Sequence, residues 1–236
     1  MLEIRDLTVG IGGATILENV NMILPEGELH VLLWPNGSGK SCLLATIMGL
    51  PPFEIQAGEI LFHGSPIRDL SLHERAKLGI GLAYQRPPSI DGVSLHSFAQ
   101  ALGADDQLAS HANALDLSDF LDRDMNVGFS GGEIKRWEVL KLMLQDPRLL
   151  MFDEPESGVD LEHVIDVGEA IARVVRARDR DGRTCSGLVI THTGLILNHG
   201  KADRAHIIKD GRILHSGDPQ TLFAHVQTGG YTVPAA

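Results

Sequence analysis

At 236 residues the chain is long enough for one large α/β domain, or for a core carrying a small subdomain. Its 43% hydrophobic and 22% charged residues are those of a globular protein, and a net charge of -11 argues against a nucleic-acid partner, whose phosphates attract basic surfaces. No apolar run reaches the roughly 18 residues of a membrane helix, and Met1 to Arg5 lack the charged-then-apolar pattern of a signal peptide, so a cytoplasmic protein without direct membrane insertion is expected.

Two cysteines, Cys42 and Cys185, make neither a disulfide framework nor the four thiolates of an ordinary iron–sulfur cluster, and are expected to be small buried residues. Along the chain, Leu2 to Ile4 and Leu7 to Val9 read as strand segments turned at Gly12-Gly13, and Val20, Met22 and Leu24 alternate in another strand. The apolar run from His30 to Leu33 suits a strand buried on both faces. It feeds a glycine-rich loop, after which Leu43, Leu44, Ile47 and Met48 recur at helical spacing up to Gly49. Gly58 to Phe62 reads as a strand, Ser71 with Glu74 as a capping box opening a helix through Lys77, and Gly79 to Tyr84 as a strand running into Gln85.

From Pro87 to Val127 small and acidic residues dominate, and helical patterns at 95–102 and 105–115 replace strands. A helical insertion at 87–127 is therefore expected within a single domain whose core comprises 1–86 and 128–236. Gly131 to Gln145 is helical and Leu149 to Phe152 a buried strand. Leu161 to Arg178 carries the apolar stripe of a long helix, and Gly187 to Thr191 is the next strand. Asp210-Gly211, flanked by 205–209 and 212–214, is a hairpin signal, and the end from Gly229 to Ala236 is expected to be a loose tail.

The loop Trp34-Pro35-Asn36-Gly37-Ser38-Gly39-Lys40-Ser41 lies between a strand and a helix, the context a phosphate loop needs. Its glycines let backbone N–H groups converge on phosphate oxygens, and the helix start behind them adds its positive dipole end. Lys40 would reach the terminal phosphates and Ser41 would ligate Mg2+. Position 34 holds tryptophan where the strict pattern has glycine. Either the backbone there needs a positive φ and Trp34 strains it, or the backbone tolerates Trp34 and its indole packs beside the loop. Weaker nucleotide binding than in a glycine version is expected.

The buried strand at 149–152 delivers Asp153 and Glu154 to the carboxyl edge of a parallel sheet, where ligands of open α/β folds bind. Asp153 suits Mg2+, and Glu154 suits the water that attacks the γ-phosphate. His192 ends a strand and reads as a γ-phosphate sensor. Gln85 ends another, within reach of Mg2+ or the attacking water. Phe129-Ser130-Gly131-Gly132-Glu133 opens a helix and forms a second phosphate-binding device, which makes sense if it serves the nucleotide of a neighbouring copy. Ser157 to Asp160 would lie along the same seam.

Taken in order, Trp34–Ser41 (Walker A), Gln85 (Q-loop), Phe129–Glu133 (signature), Phe152–Glu154 (Walker B), Ser157–Asp160 (D-loop) and His192 (switch) resemble the ATP-binding-cassette family over essentially the whole chain. The resemblance implies an α/β ABC nucleotide-binding domain with a RecA-like parallel-sheet core, an antiparallel β-subdomain and an inserted helical subdomain. It implies ATP and Mg2+ as cofactors and ATP hydrolysis between two head-to-tail copies. Asn36, Gly37, Ser38, Gly39, Lys40, Ser41 and Cys42 would hold one nucleotide, and Ser130, Gly131, Gly132, Glu133 and Asp160 would face that of the partner copy. Ser41, Gln85 and Asp153 would serve the metal, and Glu154, His192 and Gln85 catalysis.

The run from Phe129 to Glu138, with Glu133 after the two glycines and Lys135-Arg136 beyond, is similar to that of SufC, the ATPase of SUF iron–sulfur cluster assembly. The stretches 86–94, 156–160 and 203–217 carry the same likeness, which implies a SufB/SufD-like scaffold as partner. Trp34, Cys42 and Pro155 depart from the pattern. Pro155 is the transporter-like choice, so a nucleotide-binding subunit of a membrane transporter is the rival reading. A non-hydrolysing scaffold disabled by Trp34 is a third. A thiol at Cys42 beside the phosphates is expected to make the ATPase sensitive to oxidation.

Overall fold

Strand patterning and glycine placement divide the chain between two sheets that meet along one edge. The computed structural model describes residues 1–35, 41–176, 182, 184–191 and 202–232. The N-terminal sheet is antiparallel: β2 (Ala14–Leu24), β1 (Leu2–Ile11), β4 (Glu54–Phe62) and β5 (Ser65–Pro66) lie in that order. The two segments expected at 2–4 and 7–9 are one strand, whose alternation is broken by irregular register after Ile4, where Asp6 takes φ 48°.

The second sheet orders β12 (Arg212–Gly217), β11 (Arg204–Lys209), β3 (Leu29–Leu33), β10 (Ser186–Thr191), β9 (Leu149–Asp153) and β6 (Ile80–Ala83). All neighbours in it are parallel except the β11–β12 hairpin. The hairpin turn also locks the two sheets together. Gly211 has φ 74°, its carbonyl accepts from Glu18 N–H at 2.9 Å, and a Cβ there would meet Ile16 O at 2.2 Å. Only glycine fits that turn.

Both faces of the central sheet are covered, so its inner strands β3, β9 and β10 are largely apolar rather than alternating. Val31, Leu150, Phe152 and Val189 face one cluster; Leu32, Leu149, Met151, Leu188 and Ile190 face the other. The second cluster is shared with the antiparallel sheet and with α1 (Ser41–Met48). The first packs against α3 (Leu95–Leu102), α4 (Asp105–Ala114), α5 (Gly131–Gln145) and α6 (Leu161–Arg176). The short α2 (Leu72–Lys77) opens with Ser71 and Glu74 in the expected capping box.

The stretch 87–127 is not purely helical as expected. It also holds an antiparallel ribbon, β7 (Ile90–Ser94) with β8 (Asp124–Met125), which ties the two ends of the stretch together. The chain's end differs as well. A helix α7 (Pro219–Gly229) starts at Asp218, whose carboxylate accepts from Thr221 N–H at 2.8 Å. Beyond it Tyr231 is partly buried against the first cluster, and His225 Nε2 lies 3.1 Å from Thr232 O, so residues 229–232 are not a loose tail. Residues 233–236 lie outside the described residues.

Candidate functional site

The apolar β9 strand carries Asp153 to the carboxyl edge of the central sheet, next to the start of α1. There Ser41 Oγ donates to Asp153 Oδ2 at 2.5 Å. Two hard oxygen donors converge at a helix N-terminus, the donor chemistry that suits Mg2+ beside phosphate oxygens. The chain then turns sharply. Glu154 has φ 45° and donates its N–H to Ile190 O at 2.9 Å, which fixes its carboxylate against the sheet edge. That carboxylate is 4% exposed and accepts from Gln85 Nε2. Gln85 follows β6, the strand beside β9, so strand order alone brings the two side chains together. An unfavourable backbone region at a buried acid stores about 1–3 kcal/mol, held in place by these bonds.

Lys135 on α5 is 4% exposed and bridges the site from behind. Its Nζ donates to Gln85 O at 2.7 Å and lies 3.5 Å from Glu154 O. Burial pulls its pKa below the usual lysine range, opposed by the carboxylates of Glu138, Glu156, Asp153 and Glu154. One turn on, Glu138 accepts from Tyr84 N–H at 3.2 Å and pairs with Lys141. Two side chains of one helix thus grip the backbone on both sides of the Tyr84–Gln85 junction. The sequence reading missed both. The signal was present, because Lys135 and Glu138 sit among the apolar positions of α5.

The same helix opens with Ser130. Its hydroxyl accepts from Glu133 N–H at 3.3 Å, and its N–H donates to the Glu133 carboxylate at 2.7 Å. Glu133 therefore caps its own helix, and the N–H groups of Gly131 and Gly132 have no intrahelical partner to seek. Gly131 lies so close to the turn after Glu154 that a Cβ would meet Gly158 O at 1.9 Å. Asp160 precedes α6, is exposed, and its carbonyl accepts from His163 and Val164 N–H.

Ser41, Gln85, Asp153 and Glu154 are thus gathered at one sheet edge, with Ser157 Oγ 3.4 Å from Gln85 Nε2. Asn36, Gly37, Ser38, Gly39, Lys40 and His192 lie outside the described residues. Trp34 takes the second of its two expected forms. Its backbone is not left-handed, its N–H donates to Thr191 O at 3.2 Å, and its indole is fully buried in the cluster with Leu32, Cys42 and Leu43. Cys42 is buried as expected, and that burial opposes the expected sensitivity to oxidation. It is 2% exposed and burial pushes its thiol up to about 11, so it is neither accessible nor ionised as a reactive thiol must be. Any contact it makes with nucleotide is through its backbone.

The family model described as ABC transporter matches residues 17–157, a span that includes Ser41, Gln85, Asp153 and Glu154. The chain belongs to the ABC ATPase family. It is 37% identical over 246 residues to a probable ABC transporter ATP-binding protein of Streptococcus pyogenes, covering 98% of this chain and 93% of that one. It is 36% identical over 248 residues to the probable ATP-dependent transporter SufC of Escherichia coli, covering 98% and 97%, and likewise to ycf16 of Pyropia yezoensis, covering 98% and 96%. This ABC ATPase is therefore SufC-like along its whole length. Among solved structures, a nucleotide-free ATP-binding cassette from an ABC transporter superposes with TM-score 0.80 over 97% of this chain and 95% of that one. The ADP conformation of MJ1267 gives 0.81 over the same shares; both are 20% identical and share the fold. Among the described residues no helix is long and apolar enough to cross a membrane.

Proposed function

We propose that this ABC ATPase binds Mg·ATP at the Ser41–Asp153 edge, hydrolyses it between two head-to-tail copies, and drives a SufB/SufD-like scaffold in iron–sulfur cluster assembly. The observation that carries the catalytic part is the pairing of Ser41 with Asp153 beside a buried Glu154 gripped by Gln85. In this reading Ser41, Asp153 and Gln85 serve Mg2+. Bound metal supplies charge neutralisation at the phosphates. Asn36 to Cys42 surround the phosphates, with Lys40 at the terminal ones. Glu154 orients the attacking water and takes its proton, and His192 faces the γ-phosphate. Ser130, Gly131, Gly132, Glu133 and Asp160 meet the nucleotide of the partner copy.

The scaffold assignment rests on the Gly131-Gly132-Glu133-Ile134-Lys135-Arg136 run and on the SufC relative. The rival, a nucleotide-binding subunit of a membrane transporter in the cytoplasm, is favoured by Pro155 and by the streptococcal relative's name. The two differ in what is held near the Gln85 segment, where Tyr84, Ile90 and Val127 expose apolar surface. Native purification of the tagged full chain, with mass spectrometry of what accompanies it, separates them. A β-rich scaffold carrying iron and sulfide supports the first reading. A multi-span membrane protein replaces it with the second and leaves the ATP site as assigned.

A further inference from the structure

The starts of α5 and α6 are locked side by side. Gly131 stands so close to the turn before α6 that a Cβ would meet Gly158 O at 1.9 Å. Asp160 O accepts from His163 N–H at 2.9 Å and from Val164 N–H at 3.1 Å, which fixes the first turn of α6. His163 then lies against the other glycine of the pair. Its Cβ, Cγ and Cδ2 are 3.5, 3.6 and 3.7 Å from where a Cβ on Gly132 would stand. The residue is exposed, and among the described residues neither ring nitrogen has a hydrogen-bond or ion-pair partner. Nε2 is bonded to Cδ2, so it follows directly on the ring edge that faces Gly132.

The start of α5 already gathers donors. Ser130 accepts from Glu133 N–H through its oxygen, which leaves the hydroxyl proton to donate outward. The N–H groups of Gly131 and Gly132 have no intrahelical partner. The same turn also carries the Glu133 carboxylate, which can only accept and so repels a phosphate. A further donor on the α6 side offsets that repulsion. A permanently charged side chain there would be opposed by the positive ends of two helix dipoles whenever no anion is present. An imidazole avoids the conflict, because the neutral ring still donates from one nitrogen and can take a second proton when a phosphate arrives.

Resting on the head-to-tail reading above, we infer that His163 is a further nucleotide-binding residue that acts in trans. Its Nε2–H donates to the terminal phosphate of the nucleotide held by the partner copy, beside Ser130, Gly131 and Gly132. ADP lacks the phosphate this donor meets, so His163 sharpens the discrimination between ATP and ADP in closure. The chain's own nucleotide, held by Asn36 to Cys42 in that reading, does not need it. Two-fold symmetry gives each closed dimer two such contacts, so loss of the ring is felt twice in the dimer's dissociation constant.

The test is light scattering over a concentration series in the Glu154→Gln background with Mg·ATP. ATP titration of the same proteins, too dilute to dimerise, gives the affinity for the chain's own nucleotide. His163→Ala is expected to weaken the dimer about 10–100-fold with that affinity unchanged. His163→Gln keeps an amide donor and should fall between the two. If Glu154→Gln itself stays monomeric with Mg·ATP, the head-to-tail reading falls and the inference with it. If it dimerises and His163→Ala dimerises as tightly, the inference alone falls. Lower ATP affinity of the dilute His163→Ala chain also overturns it, because the ring would then act in cis. So does a His163→Gln dimer no tighter than that of His163→Ala, because the ring would then pack rather than donate.

Discussion

Trp34 occupies the position where the phosphate-loop pattern calls for glycine, yet its backbone is not left-handed and its indole is fully buried. Its Nε1 has no hydrogen-bond partner among the described residues, so packing alone secures it. Trp34→Gly should therefore act first on stability. A loss of about 3–5 kcal/mol is expected by urea denaturation of the nucleotide-free chain. The tighter ATP binding expected from restoring the glycine has to be read where both proteins are folded. Glu154→Gln keeps the shape of the buried side chain and a partner for Gln85, but cannot take a proton. Turnover should fall about 10²–10⁴-fold with ATP still bound, measured by phosphate release and nucleotide titration. Equal turnover in the two proteins would favour the non-hydrolysing reading. For Cys42, burial makes the opposite prediction to its place in the loop. In Cys185→Ser protein, thiol reagents should leave ATPase activity intact, and label should enter Cys42 only on unfolding.

The α5 helix does two jobs in its first two turns: Ser130 to Gly132 form its start, with Ser130 exposed, and Lys135 and Glu138 hold the Tyr84–Gln85 segment further along. Glu138→Ala leaves the Tyr84 N–H and the Lys141 ammonium without their acceptor. It should cost about 1–3 kcal/mol in denaturation. It should also lower turnover by loosening Gln85, and Glu138→Gln should recover part of both. The helices that carry the site were legible because period and caps agreed, as at Gly131–Gln145 and in the Ser71–Glu74 box. The acids at 153 and 154 were legible because four apolar residues before them left one place for that strand. Lys135 and Glu138 gave a partial signal, since they fall among the apolar positions of α5, but what they bind was hidden until a neighbouring strand's backbone is seen to need them. The β7–β8 ribbon was hidden because its two strands are five and two residues long, distant in sequence, and paired through irregular register. The Asp218–Pro219 start of α7 was a readable signal that went unused.

At the scale of the molecule, the central sheet has apolar layers on both faces, and Ser41, Gln85, Asp153 and Glu154 are gathered at one edge of it. One chain carries one phosphate loop and one Ser-Gly-Gly helix start. A second copy turned head to tail would set the Ser130–Gly132 N–H groups against the phosphates held at Ser41. Those contacts would exist only when the two copies close on ATP, so in the proposed cycle ATP would shift the equilibrium toward the dimer and hydrolysis would release it. Gly131 and Gly132 respond differently to substitution, and that difference makes the idea testable. A Cβ at Gly131 would collide with Gly158 O, whereas one at Gly132 meets His163 at an ordinary 3.5 Å. Gly132→Asp therefore keeps the fold while setting a carboxylate where the partner's phosphates would arrive. In Glu154→Gln background, Mg·ATP should double the mass seen by light scattering, ADP should not, and Gly132→Asp should hold the chain monomeric with its own ATP binding retained. A monomer in Glu154→Gln with Mg·ATP, or a dimer that survives Gly132→Asp, would show that the Ser-Gly-Gly start does not close on a neighbour's nucleotide.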